Sequence, residues 1–244
     1  MRHLVCAVVI GAALTGGSYA SEISTTPQHR LGEEWWKKRF EEKQAQAETG
    51  ECPMVFMGDS ITHGWDGQKA VFDKHFPNLR MVNLGFGGDR TEHTLWVINT
   101  LDWTKVNAKA LMLMIGTNNT GHRGREQESP NDTFDGIKAI ITQLREKTPG
   151  TKILLLAIFP RGETAADQGR MRNSTVNAMI PTLADNQHVF FMDIGARFLA
   201  ADGATLPKDI MPDLLHPNGK GYEIWAEAVK AKLNELLTPT TIGN

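Results

Sequence analysis

The sequence predicts a three-layer α/β/α protein built on a five-stranded parallel sheet, and three observations lead there. Short unbroken apolar runs recur along the chain, helical apolar patterns fall between them, and polar loop clusters, several of them rich in glycine, follow the runs. Unbroken runs suit strands covered on both faces, and their alternation with helices implies parallel strands joined by right-handed crossovers. A chain of 244 residues can bury one full core, and no Pro/Gly/Ser linker divides it. Residues 21–244 are therefore expected to form one domain.

The first element is a leader. Leu4 to Gly17 is an apolar run behind Arg2, and Ser18-Tyr19-Ala20 offers small residues at the two positions a signal peptidase reads. The run falls short of the roughly 20 residues needed to cross a bilayer, so no stable membrane insertion is expected. Residues 1–20 read as a signal peptide, with export to the periplasm or the medium. Its removal takes Cys6 away and leaves Cys52 alone, so the mature domain has no intramolecular disulfide.

Glu33 to Ala47, rich in Trp, Lys, Glu and Ala, reads as an amphipathic helix with Trp36 and Phe40 on one face. Strands are expected at Met54 to Met57, Leu79 to Leu84, Leu111 to Ile115, Ile153 to Phe159 and Val189 to Met192. Phe134, Ile137, Ile140, Ile141 and Leu144 recur at helical spacing, with Asn131, Asp132 or Thr133 as the cap. Tyr222, Trp225, Ala226, Val229, Leu233 and Leu236 share a face of the last helix, with Asn218 as its cap. Trp96 and Trp103 sit among apolar neighbours and read as core.

Charge and motif content exclude several functions. A formal charge of -2 and a pI near 6.4 give no basic footprint for nucleic acid, and the 8 histidines show no HExxH spacing. Gly85-Phe86-Gly87-Gly88 lacks both GxGxxG spacing and a Gly-Lys-Ser/Thr ending, which argues against a nucleotide site.

Ligands of open α/β sheets bind outside the carboxyl ends of the strands, and four polar clusters fall there. They are Gly58-Asp59-Ser60, Gly85 to Arg90, Gly116 to Asn119, and Asp213-Leu214-Leu215-His216. A serine hydroxyl becomes a nucleophile when a base takes its proton, and His216 can do so if a carboxylate holds its other ring nitrogen. Asp213 could be that carboxylate, although another acid or a carbonyl could serve. Pro217 biases His216 toward extended backbone and keeps it in the loop. The expected oxyanion hole is the N–H of Ser60, the N–H of Gly88 and the side-chain amide of Asn118.

At these residues the chain resembles the SGNH, or GDSL-type, hydrolase superfamily, whose name lists the Ser, Gly, Asn and His matched here by Ser60 in GDSIT, Gly88 in NLGFGGDRT, Asn118 in IGTNN and His216 in DLLH. Within it the chain is most similar to the catalytic subunits of intracellular platelet-activating-factor acetylhydrolase. That similarity rests on Gly87-Gly88-Asp89 with His93 and Trp96, on Gly121-His122 after the IGTNN motif, and on Phe159-Pro160-Arg161-Gly162. The resemblance implies a flavodoxin-like fold, an acyl-enzyme mechanism without metal or organic cofactor, and short acyl groups. It also allows a homodimer, which no exposed heptad or apolar stripe specifies. Two departures are the leader and a longer, more polar stretch from Arg123 to Asp132.

Other polar residues carry weaker expectations. Asn119, His122 and Arg161 are candidates to rim the pocket and contact the alcohol part of the ester. Asp59 is expected to hold the nucleophile loop, with Gly85 and Gly87 serving the turn, while His63 reads as a surface or helix-start residue. Asp89 and Arg90 are expected to pair with each other or cap the next helix, and Arg170 and Arg172 to lie on a solvated helix face. The substrate expected from the export context is an O-acetylated carbohydrate. The alternatives are an acetyl- or lysophospholipid and, in another class, a glycan-binding module without catalysis. Because an imidazole acts as a base only when neutral, ester hydrolysis should fall as the pH is lowered; a pH–rate profile flat through acid would remove His216 from the mechanism.

Overall fold

Strands of four or five residues, largely buried, form the sheet, and their side chains alternate between two cores. The computed structural model describes residues 22–121 and 127–238; the expected leader at residues 1–20 and His122 lie outside them. In chain order the elements are α1 (Glu22–Thr25), α2 (Glu34–Ala47), β1 (Met54–Gly58), α3 (Ser60–His63), α4 (Lys69–His75), β2 (Met81–Gly85), α5 (Thr91–Thr100), β3 (Ala110–Met114), α6 (Pro130–Lys147), β4 (Lys152–Leu156), α7 (Gln168–Met179), β5 (Val189–Met192) and α8 (Gly219–Leu237). All strand pairs are parallel, in the order β2-β1-β3-β4-β5.

Successive strand side chains point to opposite faces, which divides the core. Val55 and Met57 of β1, with Leu111 and Leu113 of β3, meet Trp36 and Phe40 of α2, Leu95 of α5, Ile137 and Ile140 of α6 and Val176 of α7. Met54 and Phe56, with Met112 and Met114, meet Ile61 of α3, Phe72 of α4 and Trp225 and Val229 of α8. Trp36 stacks on Phe40 at 5.6 Å, and half-buried Trp96 packs on Phe40 at 4.9 Å.

Beyond one-residue shifts, three boundaries differ from the sequence expectation. β2 begins at Met81 rather than Leu79, because Asn78 turns the chain with φ 64°. β4 ends at Leu156 although burial continues to Phe159: the Asn177 side chain binds both the N–H and the C=O of Ile158, each at 2.8 Å. The cap of α6 is Ser129, not residues 131–133. Its hydroxyl accepts from Asp132 N–H at 3.1 Å while the Asp132 carboxylate accepts from Ser129 N–H at 3.3 Å, a capping box with Pro130 at the first helical position. Asn218 caps α8 as expected, accepting from the N–H groups of Lys220 and Gly221.

In this order the chain leaves β1 first to one side, for β2, and then to the other, for β3. The crevice at that reversal is the expected ligand site of an open α/β sheet. Ile140 is fully buried on α6. Ile140→Ala should lower the free energy of unfolding by about 2–5 kcal/mol in urea titration, and a smaller loss would mean that this layer repacks freely.

Candidate active site

Ser60 is the first residue of α3, set directly behind β1 by a turn with no spare room. A Cβ on Gly58 would lie 2.2 Å from the Met114 carbonyl oxygen, and one on Gly85 would lie 2.4 Å from the His63 nitrogen. Glycine at both strand ends lets α3 sit against the sheet. Asp59 caps the helix, its Oδ1 accepting from Ile61 N–H at 2.9 Å. From α8, the Tyr222 hydroxyl donates to the Ile61 carbonyl at 2.6 Å, and Asn83 of β2 donates to the carbonyls of Thr62 and His63.

His216 comes from the loop ahead of α8. Its Nε2 lies 2.8 Å from Ser60 Oγ, and its Nδ1 lies 2.6 Å from Asp213 Oδ2. Asp213 Oδ1 accepts the backbone N–H of Leu215 at 3.1 Å and of His216 at 2.7 Å, so one carboxylate fixes both the backbone and the ring of the histidine. This tight loop places Leu214 in the left-handed region at φ 61°, a conformation that costs a non-glycine residue about 1–2 kcal/mol. Gly162 N–H secures it by donating to the Leu214 carbonyl at 2.8 Å.

The loop after β2 turns through Phe86 to Asp89, with Asp89 N–H donating to the Phe86 carbonyl at 3.1 Å and Gly88 at φ 74°. Asn118, after β3, is buried and donates from Nδ2 to the Asp89 carbonyl at 2.8 Å, which ties the two loops together. Among the described residues the N–H groups of Ser60 and Gly88 have no protein acceptor. The structure thus brings Ser60, His216 and Asp213 together and joins the loops that carry Gly88 and Asn118 through the Asp89 carbonyl.

A family model described as GDSL-like Lipase/Acylhydrolase matches residues 56–224, which contain all of these residues. The chain belongs to this family. It is therefore a carboxylic ester hydrolase of the GDSL type. A curated relative, platelet-activating factor acetylhydrolase IB subunit alpha1 of Bos taurus, is 29% identical over 92% of this chain and 94% of its own length. Among solved structures, a GDSL-like lipase from Bacteroides thetaiotaomicron matches with TM-score 0.66 at 20% identity, over 81% of this chain and 97% of that one. An acetyl xylan esterase matches with TM-score 0.63 at 18% identity, over 74% of this chain and 98% of that one.

Several residues of this GDSL chain take places other than those expected. Asn119 does not rim the pocket. It is fully buried, its Oδ1 accepting from Thr91 N–H at 3.1 Å and its Nδ2 donating to Glu128 Oε2 at 3.1 Å, because the start of α5 needs a buried partner there. Asp89 and Arg90 do not pair with each other: Asp89 binds Arg30 and Trp36, while Arg90 binds Glu128 and takes the expected cap position of α5, its N–H donating to His93 Nδ1 at 3.0 Å. Arg170 is not solvated. It is buried and donates to the carbonyls of Arg161, Gly162 and Ala204, which ties the loop ahead of α7 to the segment around Ala204. His63 is half-buried, with Nδ1 accepting from Gly87 N–H at 3.2 Å and its ring stacked on Trp35. Burial, with Arg39 nearby, lowers its pKa, which keeps that nitrogen an acceptor.

Arg161 does line a groove beside His216, with Gly162, Asp167, Asp213, Leu214 and Leu215, enclosing about 460 Å³. It also donates to the carbonyls of Thr117 and Gly121, at 3.1 and 2.8 Å, which steadies the loop after β3. Asn83 and Tyr222 are supports that sequence reasoning did not assign. A lone amide in the apolar strand Met81-Val82-Asn83-Leu84 was the signal for the first. No group of three or more His, Cys, Asp or Glu side chains among the described residues is placed to hold a metal ion.

The relay is exposed and the ground beneath it is dry. The side chains of His216 and Asp213 are 41% and 56% exposed. Partial burial would raise the Asp213 carboxyl, but the hydrogen bonds from the His216 ring and backbone outweigh it and hold the group below the usual range. Burial pushes Asp59 up to about 7, against the Ile61 N–H and the charge of His216. The folded protein then keeps a proton on Asp59 that the unfolded chain has released, so this contribution to stability is present in acid and lost as the pH rises through about 7. Asp59→Asn cannot ionise. Relative to the parent, it should gain stability as the pH rises from about 4 to about 7, by up to roughly 4 kcal/mol at 1.36 kcal/mol per pKa unit. A pH-independent difference in urea midpoints would show that Asp59 is ionised throughout.

Proposed function

We propose that this GDSL hydrolase removes acetyl groups from carbohydrate esters, with Ser60 as nucleophile, His216 as general base and Asp213 orienting the imidazole. The observation that carries the catalytic part is the continuous relay from Ser60 Oγ to His216 Nε2, at 2.8 Å, and from Nδ1 to Asp213, at 2.6 Å. A pure glycan binder has no use for a hydroxyl held against a base.

In the first step Ser60 Oγ attacks the ester carbonyl and its proton passes to His216. The carbonyl oxygen takes the negative charge and accepts hydrogen bonds from Ser60 N–H, Gly88 N–H and the Asn118 amide. Collapse expels the alcohol, which receives the proton from His216. Water then attacks the acyl-serine by the same route and frees the acid and Ser60.

The acetyl group is what the names of the acetyl xylan esterase and the platelet-activating factor acetylhydrolase share. The lining of the groove beside His216 favours a sugar as the alcohol. Arg161 and Asp167 offer hydroxyl partners there, beside Leu214 and Leu215. The leader read at residues 1–20 supports the same choice, since an exported enzyme meets glycans, and we place the mature protein in the periplasm or medium. The phospholipid reading is favoured by the curated relatives, platelet-activating factor acetylhydrolase IB subunits alpha1 and alpha2.

Acetate released from acetylated xylan and from an sn-2 acetyl phospholipid, measured side by side, tests this. Release from xylan is expected, and Ser60→Ala should lower it by on the order of 10⁶-fold. Release from the phospholipid alone would overturn the carbohydrate assignment, and an active Ser60→Ala would overturn the nucleophile.

A further inference from the structure

Gly88 is glycine between two residues bound by one cation, and that cation comes from outside the matched family segment. Arg30 lies between α1 and α2, with its side chain only 9% exposed. Its Nη1 donates to the Gly87 carbonyl oxygen and to Asp89 Oδ1, each at 2.7 Å. A Cβ on Gly88 would lie 3.6 Å from that same nitrogen. The guanidinium is itself fixed. Nε donates to Glu33 Oε1 at 2.9 Å, Nη2 donates to Glu33 Oε2 at 2.7 Å, and the plane lies over the Trp35 ring at 5.2 Å.

The Gly87 carbonyl and the Gly88 N–H belong to one peptide unit, the central one of the Phe86–Asp89 turn. In a trans peptide these two groups point in opposite directions. The alternative turn types differ by a flip of that central peptide, and two adjacent glycines offer little steric resistance to it. A donor anchored behind the carbonyl therefore decides where the N–H points. Charge on the donor also polarises the amide and strengthens the hydrogen bond made at its other end. Asp89 extends the effect, because its carbonyl receives Asn118 Nδ2 while its carboxylate is held by Arg30 and Trp36.

We infer that Arg30 is a positioning residue for the oxyanion hole: it holds the Gly87–Gly88 peptide in the orientation that aims Gly88 N–H at the reacting oxygen and, through Asp89, sets Asn118 beside it. The inference rests on the proposed roles of Ser60, Gly88 and Asn118. A lysine can supply one bond to Gly87 but has no planar fork with which to keep Glu33 and Asp89 as well.

The test is steady-state hydrolysis of p-nitrophenyl acetate by Arg30→Met and Arg30→Lys, with rates divided by the number of sites that a serine-directed phosphonate titrates to completion. Misaimed donors act on the transition state, so Arg30→Met should lose about a hundredfold in kcat with KM within about threefold of the parent. Arg30→Lys should recover part of that loss. If kcat per titrated site stays within about threefold in both variants, or if the loss falls in KM or in the number of sites, Arg30 is a structural residue only. Should Arg30→Met fail to fold, Arg30→Lys is judged by the same split. Ser60→Ala separates the two readings. If it remains active, the active-site assignment fails; if it is dead while both Arg30 variants turn over normally, only the role of Arg30 fails.

Discussion

One buried carboxylate holds the upper rim of the sheet together. Asp89 has no exposure to solvent, and Oδ1 alone gathers Arg30 from the segment before α2 and Trp36 from within it. Its backbone carbonyl takes Asn118 from the loop after β3. Burial pushes its pKa up to about 7 against the pull of Arg30, because Oδ2 has no partner among the described residues. Removing one member of such a group leaves the others buried and unpaired, which costs more than the bonds alone contribute. Three segments far apart in the sequence are thereby held in one register.

The division between a dry floor and a wet relay suits ester hydrolysis. An oxyanion gains most from donors fixed in a low-dielectric setting, and Asn118 is buried there, with the half-buried Gly88 turn at its edge. The imidazole must exchange protons with the alcohol and with water, and His216 stands half in solvent. Ser60 sits where the two environments meet, its helix pressed so closely against the ends of β1 and β2 that only glycine fits beneath it.

Much of this was legible in the sequence because it is local. Gly58-Asp59-Ser60 is a strand end, a cap and a helix start in three residues, and Asp213 to His216 encodes both a turn and an orienting carboxylate. The parallel strands were legible because burial on both faces leaves an unbroken apolar run. The errors share a different cause. Asn119, Arg170 and Asp89 are polar residues whose burial depends on partners far along the chain, Arg170 reaching Ala204 and Asp89 reaching Arg30. Read locally, each resembles an ordinary loop or surface residue. Nothing near Arg30 in the sequence announces that its side chain ends at Gly87.

The hydroxyl of Tyr222 on the Ile61 carbonyl bears on when activity can first arise. The nucleophile turn is made early in the chain, yet its general base lies 156 residues away and the tyrosine that braces it 161 residues away. A nascent chain carrying the complete parallel sheet would still have an unactivated serine on a turn that lacks its tyrosine brace. Contacts so distant in sequence close late, after the loop entropy between them has been overcome. Catalytic competence therefore arrives with the docking of the last helix, and the enzyme stays inert through the earlier stages of its own synthesis.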